Sequence, residues 1–146
     1  MKRLININAL TRPIIQTMQA YRSARLEFVK SDREMILLDA NENPFDTGLN
    51  RYPDPMQTKL KERLGIVKHV DPSNIFLGNG SDELISLMMV AFCEPKEEEV
   101  LLVPPTFGMY QVSANLNGVD TIEVPLIANF QLNVPEILAQ AKNRTK

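Results

Sequence analysis

One stretch of the chain combines residue types and spacings that could bind an anion. Gly78 and Gly80 lie two residues apart, and Ser81 and Asp82 follow directly, ahead of an apolar run. Glycine permits backbone conformations that a Cβ forbids, and serine or aspartate can cap the free amides of a first helical turn. Such amides, together with the positive end of the helix dipole, attract anions. The pattern over 75–92 therefore predicts a strand, a phosphate-binding glycine turn and a helix.

The same residues also fit an ordinary helix N-terminus that binds nothing. Neither the dinucleotide fingerprint G-x-G-x-x-G nor a Walker pattern ending in G-K-[ST] occurs here, so the motif is short and of low specificity. The helix should bury a stripe of apolar residues at helical spacing, namely Leu84, Leu87, Met88 and Ala91.

A second loop supplies aromatic side chains that could lie beside a bound phosphate. The apolar run 100–103 lacks alternation, which is typical of a strand buried on both faces of a parallel sheet. Phe107 and Tyr110 follow it. Ligands collect at the carboxyl ends of parallel strands, where the 78–82 turn and this loop should both lie. The pattern suits a flat phosphorylated cofactor, and burial of either aromatic ring in the core is the alternative.

Two more polar segments contain candidate ligand-binding groups. Residues 21–25 combine the phenol of Tyr21 with two guanidinium groups, a set suited to holding a phosphate. Residues 39–44 form an Asx-rich loop, which includes Asn41, after a short apolar run at 35–38. A solvated surface segment explains either pattern equally well.

Alternating strand and helix patterns predict an α/β fold, a three-layer αβα arrangement with a mostly parallel sheet. We expect an N-terminal arm over 1–34 and an incomplete large domain over 35–146. The predicted strands are 35–38, 75–77, 100–103 and 121–124. The predicted helices are one that starts near Pro13 and extends through Tyr21, one over 55–64 that ends at Gly65, and others at 84–92, 106–117 and 134–142.

Composition narrows the functional classes. The chain has 146 residues, of which 44% are hydrophobic and 23% charged, with a formal net charge of -2. This near-neutral balance gives no electrostatic footprint for nucleic acid, and no apolar run is long enough to cross a membrane. We therefore expect a soluble cytoplasmic protein. One histidine, His69, offers little material for a metal site, and the single cysteine, Cys93, fits a buried structural thiol better than a nucleophile.

Four blocks of the chain, in order, resemble the N-terminal part of the histidinol-phosphate aminotransferase family. This family consists of pyridoxal-phosphate enzymes of fold type I, normally homodimers. The blocks are LDANENP at 38–44, NRYPDP at 50–55, GNGSDE at 78–83, and AFCEP at 91–95 through PPTFGMY at 104–110. They span nearly the whole chain, and together they are far more specific than any one of them.

The resemblance implies roles for particular residues. The backbone amides of Ser81 and Asp82 would hold the phosphate of pyridoxal 5'-phosphate. Tyr52 would reach across the dimer interface to the same phosphate in the partner's site. Tyr21 and Asn41 would lie on the substrate side, with Tyr21 near the phosphate of histidinol phosphate.

Two departures from the family pattern bear on catalysis. Phe107 occupies the position where relatives often have the tyrosine that stacks on the pyridine ring, and it keeps the ring face without the hydroxyl. In the family, the lysine that bonds the cofactor lies well beyond position 146, and neither Lys142 nor Lys146 lies in the serine-lysine motif that marks it. The chain therefore contains no predicted catalytic residue and should not transaminate alone.

Three hypotheses follow. The first is a piece of an enzyme that moves an amino group between histidinol phosphate and 2-oxoglutarate in histidine biosynthesis. The second is a non-catalytic half-domain that binds a phosphate or a partner protein. The third is part of a sister enzyme of the same fold, such as a phosphoamino-acid decarboxylase. An incomplete parallel sheet leaves an edge and a face uncovered, so we expect poor packing or aggregation of the isolated chain.

Overall fold

The computed structural model describes residues 5–21 and 40–146 and divides the chain into two compact units. The sheet unit comprises Met1–Met18 and Leu77–Lys146, and the second unit comprises Gln19–Phe76. The strand predicted at 35–38 and part of the predicted arm lie outside the described residues. Within the described ranges, no helix is long and apolar enough to cross a membrane.

A parallel pair of strands forms the centre of the sheet unit. Strand β1 (Glu99–Leu102) pairs with β2 (Asp120–Glu123), with Glu99 opposite Asp120. Both strands lie within one residue of their predicted positions. β1 is mostly buried, as its uninterrupted aliphatic run predicts, whereas β2 is only partly buried. Helix α5 (Met109–Leu116) connects them and packs against both, as a parallel crossover requires. The prediction of a parallel βαβ arrangement is confirmed.

The other edge of β1 is paired near the end of the chain. Thr145 forms an isolated parallel bridge with Glu99. The Glu99 amide donates to the Arg144 carbonyl at 2.9 Å, and the Lys146 amide donates to the Glu99 carbonyl at 2.9 Å. Side chains support this pairing, since the Thr145 hydroxyl donates to Glu99 Oε1 and Arg144 pairs with both Glu99 and Asp120. The sheet therefore extends on both sides of β1.

Helix α4 (Gly80–Phe92) packs against α5, and its Met89 joins Val100 and Leu102 of β1 in the core cluster. The predicted buried stripe is partly wrong, since Leu87 and Met88 are exposed while Ile85 and Met89 face the core. α4 is apolar on most of its surface, so spacing alone did not select the core face. The core cluster consists of Met89, Cys93, Val100, Leu102, Ala114 and Val119.

The segment predicted as the strand at 75–77 is extended but unpaired. Ile75 has φ -107° and ψ 122°, which is β-region backbone. Within the described ranges, however, no strand pairs with it, and a strand needs a neighbour to accept its hydrogen bonds. The sequence preference was therefore interpreted correctly, but the strand assignment is wrong. Helix α4 also begins at Gly80, four residues earlier than predicted.

Short helices occur at both ends of the sheet unit. The prediction of a helix start at Pro13 is confirmed, since proline suits a first helical position. That helix ends at Thr17, so its predicted extension through Tyr21 is wrong. The remaining elements of this unit are α1 (Ile7–Leu10), α2 (Pro13–Thr17), a 3-10 turn (Ala128–Phe130) and α6 (Val134–Gln140).

The second unit is built around α3 (Thr58–Lys68) and a 3-10 turn (Pro72–Asn74). The prediction that Gly65 ends this helix is wrong, because Gly65 lies buried inside it. A Cβ there would lie 2.7 Å from the Val70 carbonyl oxygen, so the glycine permits the returning chain to approach. The helix ends instead at His69, which takes the left-handed conformation with φ 53°.

Candidate phosphate site

The glycine turn before α4 has the backbone geometry that its sequence predicts. Gly80 has φ +79°, a conformation that side-chain-bearing residues rarely adopt, and its amide donates to the Gly78 carbonyl at 3.0 Å. A Cβ built at Gly80 would meet no atom within 4 Å, so the space beside the turn is open. Glycine is therefore needed for conformation, and the turn leaves room for a ligand.

Gly78 is needed for a different reason. A Cβ there would lie 2.8 Å from Leu84 Cδ2 and 2.9 Å from Glu83 Oε2. The Glu83 carboxylate accepts the hydrogen bond of the Asn79 amide, and Asn79 is the residue preceding the helix. Glu83 thus ties the turn to the helix that follows, in the manner of a capping box. The capping role of Glu83 was not predicted from the sequence, although an acid placed shortly after a helix start signals it.

Ser81 and Asp82 lie in the first turn of α4, and the prediction that one of them caps the helix is wrong. Both are exposed, and their side chains meet only each other, Ser81 Oγ to Asp82 Oδ1 at 3.5 Å. In the described part of the chain, no carbonyl accepts a hydrogen bond from either amide. First-turn amides of this kind are available to an anion, and the helix dipole adds to the attraction.

The acidic side chains of the first turn act in two directions. Asp82 and Glu83 stabilise the helix because negative charge complements the dipole at this end. They also repel a phosphate, but the Glu83 carboxylate is engaged by the Asn79 amide. The open turn, the positive φ and the free amides fit a phosphate group, with Asp82 as the opposing charge.

Phe107 lies in the loop that follows the carboxyl end of β1. Its ring is 52% exposed and meets Tyr110 edge to face, with centroids 6.3 Å apart and planes at 87°. Phe107 is therefore not buried in the core, which was the alternative interpretation of this aromatic residue. Because α4 packs on α5, the phosphate turn and this loop belong to adjoining elements of one unit.

The other predicted site residues lie in the second unit. Tyr21 and Tyr52 are 87% and 65% exposed, and Asn41 is exposed with φ 49° in the left-handed region. The predicted site residues are thus divided between the units, with Ser81, Asp82 and Phe107 in the sheet unit. Neither set includes a residue of the other unit.

Glu42 holds the backbone that carries Tyr52. Its Oε2 lies 2.7 Å from Arg51 NH1, and its Oε1 accepts the Tyr52 amide at 2.9 Å. The Glu42 side chain is almost fully buried. A short-range pattern could not reveal this contact, because it joins two loops across a turn. Glu42 is therefore a positioning residue that the sequence analysis overlooked.

The single cysteine is structural, as predicted. Cys93 is 3% exposed in the core cluster, and burial raises the pKa of its thiol. A thiol whose pKa is raised is a poor nucleophile at neutral pH. Among the described residues, no group of three or more acids, cysteines or histidines is placed to hold a metal ion.

The family of the chain follows from comparison with known proteins. The model of the aminotransferase class I and II family matches residues 33–146. The chain therefore belongs to this family of transferases.

Two relatives narrow the resemblance further. The histidinol-phosphate aminotransferase of Flavobacterium psychrophilum is 52% identical over 141 residues, covering 97% of this chain and 41% of the relative. That of Bacteroides thetaiotaomicron is 49% identical over 140 residues, covering 96% and 40%. The predicted resemblance to histidinol-phosphate aminotransferases is confirmed, and the chain spans about two fifths of the length of these relatives.

Solved structures agree on the fold. A putative aminotransferase from Burkholderia pseudomallei matches with TM-score 0.56 and 22% identity, over 73% of this chain and 36% of that one. The histidinol-phosphate aminotransferase from Clostridium acetobutylicum matches with TM-score 0.52 and 23% identity, over 64% and 26%. The predicted fold class, a partial α/β domain of the fold type I aminotransferases, is confirmed.

Proposed function

We propose that this chain supplies the phosphate-binding part of a pyridoxal-phosphate-dependent aminotransferase that acts on histidinol phosphate. Its second substrate pair would be 2-oxoglutarate and glutamate, and its place would be histidine biosynthesis in the cytoplasm. The observation that carries the proposal is the turn before α4, where Gly80 has φ +79° and the Ser81 and Asp82 amides are free of carbonyl partners in the described residues.

The residues of this turn fit the phosphate of the cofactor. Backbone amides bind a phosphate without the long side chains that would have to be ordered, and the dipole of α4 favours its charge. Phe107 would pack its exposed ring against the flat heterocycle, which needs an aromatic face and no hydroxyl. The cofactor supplies the electron sink for moving the amino group, and the chain supplies binding and orientation.

Roles in the second unit are proposed on the same basis. The Tyr52 hydroxyl would donate a hydrogen bond to the cofactor phosphate in the partner subunit of a homodimer. Glu42 fixes the Tyr52 backbone by accepting its amide at 2.9 Å. Tyr21 and Asn41 would contact the substrate, with the Tyr21 phenol at the phosphate of histidinol phosphate. Their exposure leaves all three side chains accessible to a ligand.

The 146 residues contain no serine-lysine pair, so we propose that they bind without transaminating. The test joins residues 1–146 to the corresponding remainder of the Flavobacterium psychrophilum relative. Amino transfer from glutamate is then measured with the keto precursor of histidinol phosphate. We expect turnover from the fusion and none from the 146 residues alone.

The Tyr52 role is tested in the same fusion. Tyr52→Phe removes one hydroxyl and should weaken cofactor binding about ten- to a hundredfold, because hydrogen bonds to charged groups contribute about 1.5–3 kcal/mol. Tyr110→Phe is the matched control and should leave cofactor affinity unchanged.

Decarboxylation of a phosphoamino acid without amino transfer would favour the sister enzyme. A fusion that folds, binds phosphate and catalyses neither reaction would favour a non-catalytic module.

A further inference from the structure

Arg12 of the N-terminal segment contacts the carboxyl end of α4 through its side chain and its backbone amide. Arg12 NE donates to Glu94 Oε2 at 3.0 Å and NH2 donates to Glu94 Oε1 at 3.1 Å, a two-point pairing. Its NH1 donates to the Val90 carbonyl at 2.8 Å, and its backbone amide donates to the Ala91 carbonyl at 3.0 Å. Arg12 therefore satisfies carbonyls that the last helical turn leaves without partners.

The contact between Arg12 and Glu94 is partly shielded from solvent, and Glu98 makes a further hydrogen bond to the Glu94 backbone. The Arg12 side chain is 15% exposed. The Glu94 amide donates to Glu98 Oε2 at 2.7 Å, and Glu98 Oε1 lies 2.8 Å from Lys146 Nζ. The guanidinium also complements the negative end of the α4 dipole. A planar fork with several N–H groups makes all of these bonds at once, which a lysine cannot do.

The segment held by Arg12 lines an apolar cavity. This cavity, of about 360 Å³, is lined by Ile7 and Leu10 of α1 on one side. Met88, Met89 and Phe92 of α4 line the other side, with further contributions from Cys93, Val100 and Lys146. Ile7 and Leu10 of the N-terminal segment thus form one wall of this cavity.

We propose that residues 5–18 form a strap that closes over the apolar cavity and Cys93, with Arg12 as its latch. The strap carries no buried residue in either of its helices, so its apolar contacts alone hold it weakly. The bonds of Arg12 with Glu94 and the end of α4 therefore set how often the strap opens. This inference concerns the sheet unit alone and does not depend on the proposed enzymatic function.

Cys93 provides an internal reporter of strap opening, because it is the only cysteine of the chain and lines the cavity. Its rate of reaction with an aromatic disulfide reagent is measured in the full 146-residue chain without denaturant. Arg12→Met keeps the length of the side chain and removes its hydrogen bonds. The labelling rate should rise about ten- to a hundredfold, since each bond to a charged group that is lost favours the open state. Arg63→Met, an exposed arginine of α3, is the matched control and should label like the unmodified chain.

Local opening is separated from global unfolding by adding low concentrations of urea. Opening of the strap exposes little surface, so its labelling rate should hardly change with urea, whereas a globally unfolding variant would label steeply faster. Arg12→Lys should fall between Arg12→Met and the unmodified chain. Should Arg12→Met fail to fold, Glu94→Gln tests the same bonds from the other side and should accelerate labelling by a smaller factor. Unchanged labelling in the folded variants, or acceleration that depends steeply on urea, would overturn the proposal.

Discussion

The two ends of helix α4 are finished in opposite ways. At the carboxyl end, Arg12 donates to the Val90 and Ala91 carbonyls of the last turn and forms a charged pair with Glu94. At the amino end, the turn is held from within by Glu83, and the Ser81 and Asp82 amides have no carbonyl acceptor in the described residues. At the carboxyl end the chain supplies partners for the Met89, Val90 and Ala91 carbonyls, whereas the amino end leaves donors available.

The difference shows where stability and binding are located in this helix. Four orphan donors at a helix start cost little when water solvates them, so an exposed amino end can remain open for a ligand. Orphan carbonyls packed under other residues cannot remain unpaired, and the partly shielded carboxyl end recruits Arg12. The helix is thus anchored at one end and available at the other.

The largest effect is expected from Gly80→Val at the amino end. A β-branched residue is strained at φ +79°, which should lower the free energy of opening of α4 by about 1–3 kcal/mol. Hydrogen–deuterium exchange of the α4 amides measures this change. Gly108→Val is the matched control, because Gly108 precedes α5 with φ -61° and has equally open space. Equal losses at both positions would show that the strain at Gly80 is not the cause.

An intermediate effect is expected when acid is used to break the carboxyl end. The hydrogen bonds from Arg12 hold the pKa of Glu94 below its ordinary value. A group with a lowered pKa in the folded state stabilises the fold above its unfolded pKa, and this contribution is lost as pH falls through the lowered pKa. Protection of the α4 amides should therefore differ between the unmodified chain and Arg12→Met at neutral pH. The difference should shrink below about pH 4.3. Part of the difference should remain at pH 2–3, because Arg12→Met also removes the bond to the Val90 carbonyl. A difference as large there as at neutral pH would mean that ion pairing is not its source.

The smallest effect is expected from Glu83→Gln, again at the amino end. Glutamine can still accept the Asn79 amide, but without the charge that strengthens this bond and complements the dipole. The free energy of opening of the first α4 turn should fall by about 0.5 kcal/mol, as measured by amide exchange. Glu97→Gln, at an exposed position in the loop after α4, should have no effect there. An effect larger than that of Gly80→Val would reverse the ranking of backbone and side-chain contributions.

Elements with a distinctive local signal were predictable from the sequence. Strand β1 followed from its apolar run, β2 from its β-branched residues Thr121 and Ile122, and the parallel crossover from the helix between them. The core face of α4 did not, because a nearly all-apolar helix presents the same periodicity in more than one direction. Gly65 was misplaced because a buried glycine inside a helix and a terminal glycine have the same local sequence. The contact with Val70 distinguishes them only in three dimensions.

In the candidate site, too, features set by local sequence were predictable and features set by tertiary contacts were not. The glycine turn was predictable because positive φ and free first-turn amides are local consequences of residue type. The roles of Glu42 and Arg12 were not, because each depends on a contact outside the spacing of any helix or strand. Glu42 contacts Tyr52, ten residues further along the chain. Arg12 and Glu94 are 82 residues apart, and no periodicity links them.

The bridge between Thr145 and Glu99 has a consequence for the order of folding. It joins residues 46 apart in sequence, more than twice the separation of the Glu99 and Asp120 pair. Each doubling of a closed loop costs about 0.6 kcal/mol of chain entropy, so the β1–β2 pair should form first. The bridge at Thr145 would then add to an edge already in place. Its register would be selected by Glu99, which accepts from the Thr145 hydroxyl and pairs with Arg144. The sheet would thus grow outward from β1 rather than collapse in one step.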